Sequence, residues 1–148
     1  DWIKADDKLV LITAHRRQNH GERIDRIIDA IKYLAEKYND HTFVIPVHPN
    51  PNVHDKIHSR LGNYKNVNLL TPLDYPDLVY LMKNAKLILT DSGGIQEEAP
   101  TFGCPTLVMR YETERQEEKI KRCGRFWSLV FKPLRRTLEV IKRIIFTF

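Results

Sequence analysis

Short apolar runs alternate with stretches of helical spacing along this chain, and the alternation begins at once. Leu9 to Thr13 is a compact apolar run that predicts a strand, and Ile24, Ile27, Ile28, Ile31 and Leu34 recur at helical intervals from about Glu22 to Tyr38. Thr42 to Val47 predicts a second strand, followed by the Pro- and Asn-rich loop His48 to Asn52 and a helix of roughly Val53 to Leu61. Val67 to Leu70 is a third strand stopped by Pro72. Tyr75 to Asn84 is a helix with Leu78, Leu81 and Met82 on one side, and Pro76 is tolerated in its first turn. Leu87 to Thr90 is a fourth strand, Gly94 to Phe102 a helix, and Thr106 to Met109 a fifth strand after Pro105. Five steps of strand then helix imply an α/β fold: a Rossmann-like, doubly wound parallel sheet with right-handed crossovers, whose ligands gather at the carboxyl ends of the strands.

The polar residues cluster where that architecture places a site. His15, Arg16 and Arg17 follow the first strand, and His48 follows the second. Asp91, Ser92, Gly93 and Gly94 follow the fourth, and Arg110, Thr113, Glu114 and Arg115 follow the fifth. Within Leu87 to Pro100 a buried strand breaks at small polar residues and two glycines and then turns helical. Glycine lets the backbone approach a ligand closely, and an opening helix aims its free N–H groups at an anion. Glu98 lies about one helical turn beyond Gly94. A carboxylate there suits a pair of ribose hydroxyls and not a phosphate. The expected ligand is a nucleotide diphosphate, with its phosphates on Ser92 to Gly94 and its ribose on Glu98. His15 suits a proton or hydrogen-bond donor to a leaving phosphate, and Arg16, Arg17 and Arg110 suit phosphate or carboxylate recognition.

Composition narrows the alternatives. The net charge of +5 is unevenly spread: residues 119 to 148 hold nine Lys or Arg against the one acid Glu139, while the remainder holds fifteen against eighteen. The body of the chain is therefore mildly acidic, which argues against a nucleic-acid binder. No apolar run approaches the roughly 18 residues of a membrane span, and the amino end does not resemble a signal peptide. Cys104 and Cys123 fit neither a disulfide nor a metal spacing, so a reducing cytoplasm is expected. His54 and His58 stand one helical turn apart without a third ligand near in sequence, so neither a metal nor a cofactor is expected.

Five segments, LITAHRRQNHGERI, VIPVHPNP, LDYPDLVYLM, LILTDSGGIQEEAP and VMRYETERQE, closely resemble the carboxy-terminal domain of the non-hydrolysing UDP-N-acetylglucosamine 2-epimerases, over about residues 8 to 117. The resemblance implies one of two Rossmann-like domains in the glycosyltransferase-B arrangement, with an active site in the cleft between them. It also implies the interconversion of UDP-N-acetylglucosamine and UDP-N-acetylmannosamine, by elimination of UDP and its re-addition with C2 inverted, in support of polysaccharide biosynthesis. By that likeness His15 serves the elimination, Ser92, Gly93 and Gly94 bind the diphosphate, Glu98 binds the ribose, and Leu78 stands beside the uracil. Arg16 and His48 match positions that help bind a second, activating UDP-sugar in bacterial members, and Thr113, Glu114 and Arg115 match a cleft signature.

The chain departs from the family in four places. Gln18 stands where glutamate is usual, and Gln116 where proline is usual. Only Asp1 to Asp7 precede the first strand, so the amino-terminal domain, with the acids that move the C2 proton, is expected to be a separate partner or lost. Such a chain is expected to hold UDP or UDP-N-acetylglucosamine without epimerising alone. The likeness fades after Glu117, so residues 1 to 117 are expected to form the UDP-binding domain and 118 to 148 a basic, diverged or frame-shifted segment. There Leu138, Ile141, Ile145 and Phe148 form an amphipathic stripe that suits packing on another domain or on a second copy more than a membrane surface. A glycosyltransferase-B donor domain and a non-catalytic UDP-sugar sensor are the competing readings.

Overall fold

The computed structural model describes residues 8–14 and 21–109, and the backbone of 126–127. Six strands form one sheet: β1 (Leu9–Thr13), β2 (Thr42–Pro46), β3 (Val67–Leu70), β4 (Leu87–Thr90), β5 (Thr106–Val108) and β6 (Phe126–Trp127). Their spatial order is β3-β2-β1-β4-β5-β6, and each described neighbour pair runs parallel. The chain winds outward from β1 in one direction and then returns to start again at β4. The boundary between β1 and β4 is thus the topological switch point, where open α/β sheets bind ligands.

Helices cover both faces, as the unbroken burial of β1 and β4 requires. The helices α1 (Glu22–Lys37) and α2 (Pro51–Leu61) bury their isoleucine and leucine stripes against Val10, Ile12, Phe43, Ile45, Leu87 and Leu89. On the opposite face α3 (Tyr75–Asn84) and α4 (Gly93–Glu98) set Leu81, Met82 and Ile95 against the alternate strand positions Leu9, Leu11, Val44 and Ile88. No helix among the described residues is long and apolar enough to cross a membrane.

Several boundaries differ from the pattern-based expectation, each for a local reason. Tyr38 caps α1 and does not extend it: its N–H still donates to Leu34 O, but its ψ of 62° has left the helix. The second strand ends at Pro46, one residue before the expected Val47, and the fifth ends at Val108, one before Met109. Helix α2 starts two residues earlier than its apolar spacing suggests, because Pro51 suits a first turn and the Asn50 side chain accepts from Asn52 N–H at 3.0 Å. The helix expected from Gly94 to Phe102 divides into α4 and a 3-10 turn, Ala99–Phe102. Pro100 has no N–H for an α-helical bond, and Gly103, at φ 68°, ends the turn in the left-handed region. The pattern did not foresee β6, which pairs Phe126 with Thr106 and Trp127 with Leu107.

Candidate functional site at the switch point

The last residues of β1 and β4 are both threonines, paired in register across the switch point. Their hydroxyls lie 2.5 Å apart and buried, and Thr90 Oγ1 also accepts from Ser92 N–H at 2.9 Å. Asp91, fully buried, donates its backbone N–H to Thr13 O at 3.1 Å. These bonds fix the direction in which the chain leaves the sheet. Ser92 is delivered to the carboxyl edge as the N-cap of α4, and its side chain caps none of the helix's own N–H groups.

A cavity of about 490 Å³ opens beside this turn. Ser92, Gly94, Ile95 and Glu98 of the β4–α4 segment line it, as does Thr13 at the end of β1. Pro46 is the last residue of β2, Val47, His48 and Pro49 come from the loop after it, and Pro72, Leu73, Tyr75 and Leu78 from the approach to α3 and its first turn. The cavity is thus built from the ends of four different strands, with an apolar flank at Leu73 and Leu78 and a polar one at Ser92 and Glu98. A methyl group placed on Gly94 would meet nothing closer than Ser92 Oγ at 3.9 Å. The fold itself therefore has room for a side chain there, and internal packing does not require the glycine.

Glu98 ends α4 and accepts a 2.6 Å hydrogen bond at Oε2 from the hydroxyl of Tyr75, the first residue of α3. The adjacent carboxylate holds the phenol protonated, above its ordinary pKa of 10.0, because a phenolate would lose that bond and repel the negative charge. His48 accepts Asn50 N–H at Nδ1 over 3.2 Å, which puts the neutral ring's proton on Nε2. Away from the cavity, burial pushes the Cys104 thiol up to about 12, and its Sγ–H donates to Ala85 O at 3.0 Å, so this cysteine is an unreactive core residue. His54 and His58 stack on each other with ring centroids 4.2 Å apart, and His54 pairs with Asp55 at 3.0 Å. Among the described residues no group of three His, Cys, Asp or Glu is placed to hold a metal.

Of the residues singled out in the sequence, His48, Leu78, Ser92, Gly94 and Glu98 line this one cavity, and Gly93 sits in the turn between Ser92 and Gly94. His15, Arg16, Arg110, Thr113, Glu114 and Arg115 lie outside the described residues, as does the amphipathic stripe from Leu138 to Phe148. The sequence reading passed over Tyr75, Thr13 and Thr90. The local signals that mark them are an aromatic residue at the start of a helix and threonines ending two strands.

A family model described as UDP-N-acetylglucosamine 2-epimerase matches residues 2–129. The UDP-N-acetylglucosamine 2-epimerase of Neisseria meningitidis serogroup A is 53% identical over 116 residues, 78% of this chain and 31% of that protein. The crystal structure of a Neisseria meningitidis UDP-GlcNAc 2-epimerase bound to UDP-GlcNAc superimposes with a TM-score of 0.88 at 46% identity, covering 97% of this chain and 38% of that one. An Escherichia coli heptosyltransferase with ADP is 12% identical with a TM-score of 0.69 over 95% of this chain and 45% of that one, a likeness of fold alone. The chain spans about a third of the length of the curated relative. With the switch-point cavity in place and the family model matched over residues 2–129 of the chain, the chain belongs to the UDP-N-acetylglucosamine 2-epimerase family.

Proposed function

We propose that this chain is the nucleotide-binding part of an enzyme that interconverts UDP-N-acetylglucosamine and UDP-N-acetylmannosamine. The observation that carries the proposal is the convergence of Ser92, Gly94, Glu98 and Leu78 on one cavity at the switch point of a family member. The diphosphate lies against Ser92, Gly93 and Gly94, and Arg110, the second residue after β5 in sequence, serves its recognition. The ribose hydroxyls donate to Glu98, and the uracil lies against Leu78. A relative whose solved structure holds UDP-GlcNAc supports the choice of nucleotide sugar.

The chemistry follows from where charge develops. Removal of the C2 proton and breakage of the anomeric C1–O bond leave a glycal and put the departing electron pair on the diphosphate. Donors already fixed around that group stabilise the transition state without reorganising. His15 serves as proton or hydrogen-bond donor to the departing phosphate. Re-addition of UDP to C1, with a proton delivered to the opposite face at C2, gives the epimer. The acids that handle the C2 proton belong to a second, amino-terminal domain, which packs against this one across the cleft. Arg16, His48, Thr113, Glu114 and Arg115 contribute to the function of that cleft, Arg16 and His48 by holding an activating UDP-sugar. Residues 1 to 117 form the UDP-binding unit, 118 to 148 are a basic extension able to mediate self-association, and the enzyme serves polysaccharide assembly in the cytoplasm.

Calorimetric titration with UDP, UDP-N-acetylglucosamine and ADP tests the binding assignment. Saturable binding of the two uridine nucleotides with at least tenfold weaker ADP is the expected result. Equal affinity for ADP would overturn it. Combination with an amino-terminal epimerase domain tests the activity: UDP-N-acetylmannosamine should form, and His15→Asn should abolish its formation while sparing UDP binding.

A further inference from the structure

We propose that Tyr75 is a positioning residue for ribose recognition: its phenol holds the Glu98 carboxylate ready for a ribose diol and makes the cavity prefer a ribonucleotide to a 2′-deoxyribonucleotide. This rests on the assignment of Glu98 to the ribose made above. Tyr75 and Glu98 both line the cavity, and the 2.6 Å bond between them joins α3 to α4 across 23 residues of sequence.

The bond is not a by-product of burial. Tyr75 is 62% exposed, and two polar groups in water gain little by pairing with each other. Its placement comes from the backbone. Asp74, extended at φ −67° and ψ 157°, starts the helix, Pro76 locks the first turn, and Leu78 N–H closes that turn on Asp74 O at 3.0 Å. Helix α3 packs against the Ala99–Phe102 turn that begins directly after Glu98. Donor and acceptor are therefore carried on elements that hold each other.

The consequence for a ligand follows from the lone pairs. An ionised carboxylate offers about four acceptor positions. The phenol occupies one on Oε2 and leaves enough for two ribose hydroxyls. A glutamate without that partner at the mouth of a cavity samples several rotamers, and freezing them is a cost that the ligand must overcome on binding. Tyr75 removes the cost in advance, and only a ligand with hydroxyls for Glu98 gains from it.

Dissociation constants for UDP and 2′-deoxy-UDP, measured on the chain and its Tyr75→Phe and Glu98→Gln variants, test the proposal. Phe keeps the exposed ring and removes only the hydroxyl, so the thermal midpoint should not move. UDP should bind Tyr75→Phe roughly fivefold more weakly while 2′-deoxy-UDP changes less than about twofold, so the preference collapses. A preference unchanged in Tyr75→Phe but lost in Glu98→Gln would overturn the role of Tyr75 and leave the ribose assignment standing. Equal binding of both nucleotides by the unsubstituted chain, with Glu98→Gln altering neither, would overturn the ribose assignment and the proposal with it.

Discussion

On one face of the sheet α1 and α2 bury a continuous aliphatic layer and are tied together at their outer surfaces; on the other, α3 and the short α4 bury a smaller layer and leave a cavity at the strand ends. The ties on the first face are ion pairs: Asp25 accepts from Lys56 at 3.0 Å and from Arg60 at 3.1 Å, and Arg60 also reaches Asp29. The second face carries hydrogen bonds that aim groups: Thr90 Oγ1 accepts from Ser92 N–H, and the Tyr75 hydroxyl donates to Glu98. Both faces are lined by alternate residues of the same strands, so what separates them lies in the connections. On the first face the β1–β2 connection carries the 16-residue α1. On the second, the β4–β5 connection contains Gly93, Gly94 and Pro100, and its α4 spans only six residues before the 3-10 turn. The larger aliphatic layer lies on the first face, and the cavity opens beside the second.

Substitutions should separate these roles. Ile28→Ala, at a fully buried position of α1, should lower unfolding stability by about 2–5 kcal/mol in urea titration, and the protein that remains folded should bind UDP normally. A comparable loss of affinity in the folded fraction would mean that the faces are coupled. Glu98→Ala should do the reverse, weakening UDP binding by roughly 1.5–3 kcal/mol in calorimetry with little change in thermal midpoint. Gly94→Ala sharpens the contrast further. The methyl group has room in the protein and favours the helix, so stability should hold or rise by about 0.5–1 kcal/mol, while UDP affinity should fall because the methyl stands where the phosphates approach. Arg60→Ala should matter least: its half-exposed pairs on the first face should cost at most about 1 kcal/mol, with a loss that shrinks as salt is added.

The parts of this division written in neighbouring residues were legible in the sequence. β1, β3, α3 and β4 stand where their apolar runs put them, because each run is bounded by Gly, Pro or polar residues. The turn from Ser92 to Gly94 and the glutamate one helical turn later were legible for the same reason: their chemistry and spacing lie within seven residues. The interruption at Pro100 was equally local but was outweighed by the helical pattern around it. A two-residue strand such as β6 carries no periodicity, and only pairing with β5 defines it. Tyr75 and the Thr13–Thr90 pair were hidden because their partners are 23 and 77 residues away, a distance that only the folded sheet closes.

The most direct test is to follow the backbone amide resonances of the isotopically labelled chain as UDP is added. Saturable shifts should concentrate at Ser92, Gly93, Gly94, Tyr75, Leu78 and Glu98, with the outer surfaces of α1 and α2 unmoved. Shifts centred on α1 and α2, or none at millimolar UDP with the chain folded, would contradict a uridine nucleotide site at the switch point.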